Sequence, residues 1–201
     1  MPCIADTDIC MTSGAKTWIA LLRGVNVGGK NKLPMKELAS EFEALGFVDV
    51  QTYIQSGNVV FRSRTAGNGP ASMAAPIAAS IKNKFGFEPG VIVLSKEELA
   101  SAAASNPFPE AGKELDGKAL HLFFLGEFLS NKPPKIDARS LDAVRRPTER
   151  WQVIGSVFYL HAPEGFGNSK LAARAERCLG VPATARNWRT VCELLKLAED
   201  D

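Results

Sequence analysis

The sequence predicts an α+β fold made of two duplicated ferredoxin-like halves, each running β-α-β-β-α-β. Three observations predict it. Apolar runs are followed by a helical stretch and then by two β-rich runs around a turn, this order occurs twice, and its spacing is nearly the same both times. From the first strand near Trp18 to the hairpin turn at Ser56 is 38 residues, and from Leu120 to Gly155 is 35. From each turn to the next helix is about 14 residues in the first copy and 13 in the second.

Residues 1–16 have an early acidic patch and no basic n-region leading into a long apolar stretch, so they read as a disordered N-terminal segment and not as a secretory signal. Met11 offers an alternative start. The first half, 17–105, opens with Thr17 to Leu22, a short apolar run that reads as a buried strand. LPMKELASEFEALG follows, with Pro34 suited to a first helical position, Met35, Leu38, Phe42 and Leu45 on one face, and Gly46 as the stop. VQTYIQSGNVVFRS is a hairpin around Gln55-Ser56-Gly57-Asn58. Residues 71–86 make a second helix and Gly90 to Leu94 a further strand. Ser95 and Glu98 have capping-box spacing for a helix that ends before Asn106-Pro107-Phe108-Pro109.

Residues 106–118, rich in Pro, Gly and charge, read as a linker. The second half, 119–201, opens with the strand Ala119 to Leu125, has a short helix near 136–144, and forms a hairpin around Gly155-Ser156. Asn168 is placed to cap a helix carrying Leu171, Ala175, Cys178 and Leu179 on its apolar side. From there the second copy departs from the first. It ends with VPATARNWRTVCELLKLAE, in which Asn187 is placed as the N-cap of a C-terminal helix with Trp188, Val191, Cys192 and Leu195 inward.

Composition excludes several classes. No apolar run approaches the roughly 20 residues a membrane span needs. Four cysteines without a CxxC pair point to reduced thiols and a cytoplasmic setting. A net charge of +2 argues against a general polyanion binder, but the charge is unevenly spread. Residues 9–36 carry a local +5 and residues 165–191 a local +4, leaving −7 for the rest.

The first basic window holds RGVNVGGKNKLPM, Arg23 to Met35. Gly24 to Asn31 fits the phosphate-loop pattern G-x-x-x-x-G-K-[ST] except at its last place, where Asn31 stands for the hydroxyl that binds Mg²⁺. Pro34 starts the helix several residues after Lys30, and a β-hairpin follows in place of a parallel-sheet repeat. These departures argue against a nucleotide-hydrolysing loop. Two readings remain: a connection whose glycines take positive φ and whose asparagines bond their own backbone, or an anion-binding concavity built from exposed N–H groups, Lys30, Lys32 and Arg23. The second basic window favours the concavity. GFGNSK (165–170) repeats the pattern at a helix start, and Arg186 and Arg189 flank Trp188.

The expected ligand-binding set is Arg23, Asn26, Gly28, Gly29, Lys30, Ser56, Asn58, Lys170, Arg186 and Asn187, with the Ser56 turn and the Asn26 loop converging on one cleft. No cofactor and no metal are expected, because His121 and His161 lie in predicted strands without metal-ligand spacing. No GxSxG or cysteine nucleophile signature names a catalytic residue, so enzymatic activity stays open.

LLRGVNVGGKNKLPMKEL, the TYIQSGNVVF hairpin, NPFP, and SKL with VPATARNWRTV together resemble the DUF1697 family of uncharacterised bacterial proteins, in order from about Trp18 to Leu197. The resemblance implies two ferredoxin-like halves and no established activity. The leading functional expectation is a binding module for an anionic, phosphate-bearing ligand such as a nucleotide or single-stranded nucleic acid. The alternatives are a metal-independent enzyme acting on a phosphorylated or carboxylated metabolite, and an interaction scaffold without a small ligand.

Overall fold

The computed structural model describes residues 14–64, 69–126 and 136–199. Most of the segment expected to be disordered, including Met11, lies outside these residues. The fold is α+β, with two four-stranded antiparallel sheets. The first half contributes β1 (Lys16–Arg23), α1 (Met35–Ala44), β2 (Val48–Tyr53), β3 (Asn58–Ser63), α2 (Ala71–Phe85), β4 (Gly90–Ser95) and α3 (Lys96–Ala104). The second contributes β5 (Leu120–Leu125), α4 (Ala138–Asp142), β6 (Arg150–Ile154), β7 (Val157–His161), α5 (Lys170–Leu179), β8 (Ala183–Asn187) and α6 (Trp188–Glu199). Strand order is β2-β3-β1-β4 in one sheet and β6-β7-β5-β8 in the other.

The sequence reading placed the helix cap at Asn187 but assigned no strand to ATARN before it. The five residues instead pair antiparallel along β5, with Leu122 opposite Arg186. The second half therefore ends as the first does, on an edge strand whose last residue caps a helix. Ser95 makes the expected capping box with Glu98, and Asn187 Oδ1 accepts from the Thr190 N–H at 2.8 Å. A second correction concerns α5. Phe166–Asn168 forms a 3-10 turn, which moves the cap one residue on, to Ser169, whose Oγ accepts from Ala172 N–H at 2.9 Å.

Both faces of each sheet are covered, which explains why the inner strands β1, β3, β5 and β7 are buried almost without a break, whereas the edge strands β2 and β6 alternate. In β1, Trp18, Ala20 and Leu22 pack toward α1 and α2, while Ile19 and Leu21 face a central core. That core is shared by both halves: Val60 and Leu94 from one sheet, Leu122, Phe124 and Tyr159 from the other, Leu99 of α3, and Val191 and Leu194 of α6. α4 and α5 cover the outer face of the second sheet through Leu141, Leu171, Ala175 and Leu179.

The stretch between the halves is folded onto the second half. It makes two 3-10 turns, Pro109–Gly112 and Glu114–Gly117, and buries Ala111 in the central core. The Glu114 carboxylate lies 2.8 Å from His161 Nε2, and Asp116 pairs with Arg189. Because Arg150 donates to His161 Nδ1 at 3.3 Å, the imidazole proton sits on Nε2 and points at Glu114.

Candidate functional site

The connection Gly24–Leu33 is closed by its own polar groups. Asn26 and Asn31 take left-handed φ of 53° and 50°, and Gly28 and Gly29 take 58° and 75°. Asn26 N–H donates to Asn31 O at 3.0 Å, Lys30 N–H to Val27 O at 3.0 Å, and Leu33 N–H to Asn26 Oδ1 at 2.8 Å. Asn31 Nδ2 reaches Gly24 O at 2.8 Å. The loop thus employs several of the backbone donors that a phosphate cradle would have to present. Lys30 is exposed near its tip, beside a Val27 side chain that is 67% exposed.

Asn26 also ties this loop to the first hairpin, since its Nδ2 donates to Leu33 O and to Gln55 O, each at 2.9 Å. In that hairpin Asn58 is fully buried. Its Nδ2 donates to Tyr53 O at 3.1 Å and to Ser56 Oγ at 2.8 Å, which aims its Oδ1 toward the second half.

Arg186 comes from β8 to meet it. The residue is 8% exposed, and its guanidinium makes no ion pair among the described residues. Nε donates to Asn58 Oδ1; Nη2 donates to Leu22 O at 2.8 Å and Ser56 O at 3.1 Å, with Gly57 O at 3.4 Å; Nη1 donates to Ala185 O at 2.8 Å and Thr184 Oγ1 at 3.2 Å. Burial pushes its pKa down to about 10, so the group stays charged at neutral pH. All five N–H donors have acceptors inside the chain. The cation is solvated by carbonyl dipoles, one hydroxyl and one amide, and among the described residues no carboxylate compensates its charge.

An open groove of about 470 Å³ lies over this junction. Arg23, Gly24, Val27 and Ser56 line it from the first half; Phe123, Phe166, Ala172, Ala173, Glu176 and Ala183 to Arg186 line it from the second. Its walls mix polar and apolar surface in near-equal parts. Arg23 and Glu176 form an exposed ion pair across it at 2.7 Å. Behind Phe166, His121 stacks at a ring-centroid distance of 3.9 Å, and burial holds that imidazole near pKa 4, hence neutral.

The two basic windows therefore meet in one groove, and Arg23, Ser56 and Arg186 of the expected set line it. Asn26 and Asn58 shape it from behind through the bonds above. Gly28, Gly29, Lys30, Lys170 and Asn187 are not among its lining residues. Lys170 opens α5 and is exposed, and Asn187 caps α6. Sequence reasoning missed Phe123, Phe166 and Ala173 as walls. Phe166 sits in the GFGNSK stretch singled out for its glycines, so its aromatic ring was the available signal.

Among solved structures, the chain is similar to a conserved bacterial protein from Streptococcus pneumoniae, with 23% identity and a TM-score of 0.65 over 92% of this chain and 99% of that one. At that identity the likeness speaks for the fold. No match is found among curated proteins. The family model described as a protein of unknown function, DUF1697, matches residues 15–159, which span both the Asn26 loop and the first hairpin. The chain belongs to the DUF1697 family.

Proposed function

We propose that the chain is a binding module, built as a duplicated ferredoxin-like pair, that takes a small anionic ligand with an apolar or aromatic body in the groove between its halves, in the cytoplasmic setting its composition suggests. One observation carries the reading: a buried guanidinium without a carboxylate partner lies at the floor of a groove whose walls include Phe123 and Phe166. The uncompensated charge attracts an anion through a low-dielectric floor, and the aromatic wall accepts a planar body. Because the guanidinium donors are already used, the anion is attracted by charge while the ligand's apolar part supplies contact area. A groove of about 470 Å³ suits a small molecule better than a strand of nucleic acid.

Thermal shift tests this with a panel of nucleotides, sugar phosphates, aromatic carboxylates and inorganic phosphate. A ligand at 100 times its Kd stabilises by about 2.7 kcal/mol. At least one acidic, ring-bearing member is expected to raise Tm saturably, and Ala173→Trp, which fills the exposed groove wall, is expected to abolish the shift while leaving the ligand-free Tm unchanged. A panel without any shift, or a shift that survives Ala173→Trp, would sink the reading. Binding to a random oligonucleotide with a log K against log salt slope of about −3 would move the ligand class to single-stranded nucleic acid.

A scaffold reading is favoured by the saturation of Arg186 with intrachain acceptors. It expects Arg186→Ala to lower Tm and no panel member to raise it. The enzyme alternative has less support, since the ionisable groups lining the groove are Arg23, Glu176 and Arg186, and the first two hold each other.

A further inference from the structure

We infer that the end of the first hairpin is a guanidinium-binding cage, preassembled by the first half and filled in the intact chain by Arg186 of the second. The Nε–Nη2 edge of the guanidinium is held by first-half oxygens: Asn58 Oδ1, Leu22 O, Ser56 O and the more distant Gly57 O. Nη1 stays with its own strand, on Thr184 Oγ1 and Ala185 O.

The first-half oxygens are positioned by bonds that do not involve Arg186. Leu22 N–H donates to Gly57 O at 2.8 Å, and Asn58 is oriented by its two Nδ2 bonds, to Tyr53 O and Ser56 Oγ. Gly57 is packed so closely that a Cβ there would stand 2.7 Å from Leu22 Cβ and from Val25 Cγ2, which keeps the turn against β1.

A cage of neutral acceptors with no carboxylate selects by shape and donor number. A planar fork with several N–H groups fits it, whereas an ammonium presents three donors from one point. The ligand class is an alkyl guanidinium, in its natural form an arginine side chain carried on an extended strand. The assignment stands apart from the anion reading of the groove, since it concerns oxygens that face a cation.

Chemical rescue of the full-length Arg186→Ala variant tests it. Millimolar methylguanidinium chloride is expected to recover at least half of the Tm lost by the substitution, saturably, while equal methylammonium chloride or NaCl recovers none and wild type is unmoved. An Arg186→Ala, Asn58→Leu double variant is expected to lose the rescue. If Arg186→Ala does not fold, the readout is refolding yield from urea with and without methylguanidinium, where recovery supports the cage and its lack overturns it. Equal responses of variant and wild type, equal action of methylammonium, or rescue that persists in the double variant would each overturn the assignment.

Discussion

The two hairpins hold counterpart places in their sheets and end in different ways. Leu22 N–H bonds Gly57 O in the first, and Leu125 N–H bonds Ser156 O in the second, so the two turns can be compared residue by residue. Tyr53 and Asn58 close a four-residue loop, whereas Ile154 and Val157 close a two-residue loop of Gly155 and Ser156. Asn58 corresponds to Val157, and Arg186 of β8 to Leu94 of β4.

The first junction is polar and filled by a guanidinium. The second is made by Tyr159, whose hydroxyl donates to Ala102 O of α3 at 2.7 Å, and it leaves an open pocket of about 210 Å³ between α3 and the turn. Counting from the two N-caps, α3 carries Ser101, Ala102 and Ser105 where α6 carries Glu193, Leu194 and Leu197. Small side chains line this pocket where larger ones stand at the matching positions of the other half. The two halves thus meet through one hydrogen-bond-saturated junction and one loosely filled one.

The largest test of this contrast is at Arg186. Replacement by Ala takes the guanidinium donors from the Leu22 and Ser56 carbonyls and from Asn58 Oδ1, and a loss of roughly 3–5 kcal/mol is expected in urea denaturation. Replacement by Lys is expected to cost nearly as much, because an ammonium offers three donors. A loss below about 1 kcal/mol for Arg186→Ala would show that the junction does not depend on the guanidinium.

A second test uses the counterpart pair Trp18 and His121, whose Nε1 and Nδ1 are buried without partners among the described residues. Burial lowers the His121 pKa from 6.5 to about 4. The unfolded chain takes up the proton first, so stability from this group is complete above pH 6.5 and falls as pH drops toward 4, by up to about 1.4 kcal/mol per pH unit. The urea midpoint of His121→Phe measured between pH 7 and 5 is expected to fall less than that of wild type; equal falls would discard the effect.

The turns themselves come next. Gly57→Ala meets both a φ of 70° and contacts at 2.7 Å, and is expected to cost about 2–3 kcal/mol. Gly155→Ala has a φ of 57° but no atom within 4 Å of the added carbon, and is expected to cost about 1 kcal/mol. Equal thermal shifts for the two variants would break the contrast between a tight and an open turn. The smallest effect is expected at Tyr159→Phe, which removes one buried hydrogen bond worth about 1 kcal/mol. A Tm unchanged by that substitution would leave packing alone to hold the second junction.

How much of this was legible in the sequence depended on range. The Ser95–Glu98 capping box, the positive φ of the loop glycines and asparagines, and both hairpin turns follow from residues within a few places of one another. The cap at Ser169 was missed by one residue because the preceding 3-10 turn displaces the helix start. β8 was missed because five residues of Ala, Thr, Arg and Asn form no apolar run. Pairing along β5 makes them a strand, and that pairing is not local.

The candidate site divides in the same way. The α+β order, the Asn26–Asn31 connection and the clustering of cations into two windows follow from neighbouring residues, because propensity, turn chemistry and charge are local properties. That those windows share a groove with Phe123 and Phe166, and that Arg186 is buried there, depends on how the two sheets pack. The acceptors that make its burial tolerable, Leu22 O, Ser56 O and Asn58 Oδ1, lie at least 128 residues away along the chain. Burial of a charge is settled by where its partners are, and only folding brings these together.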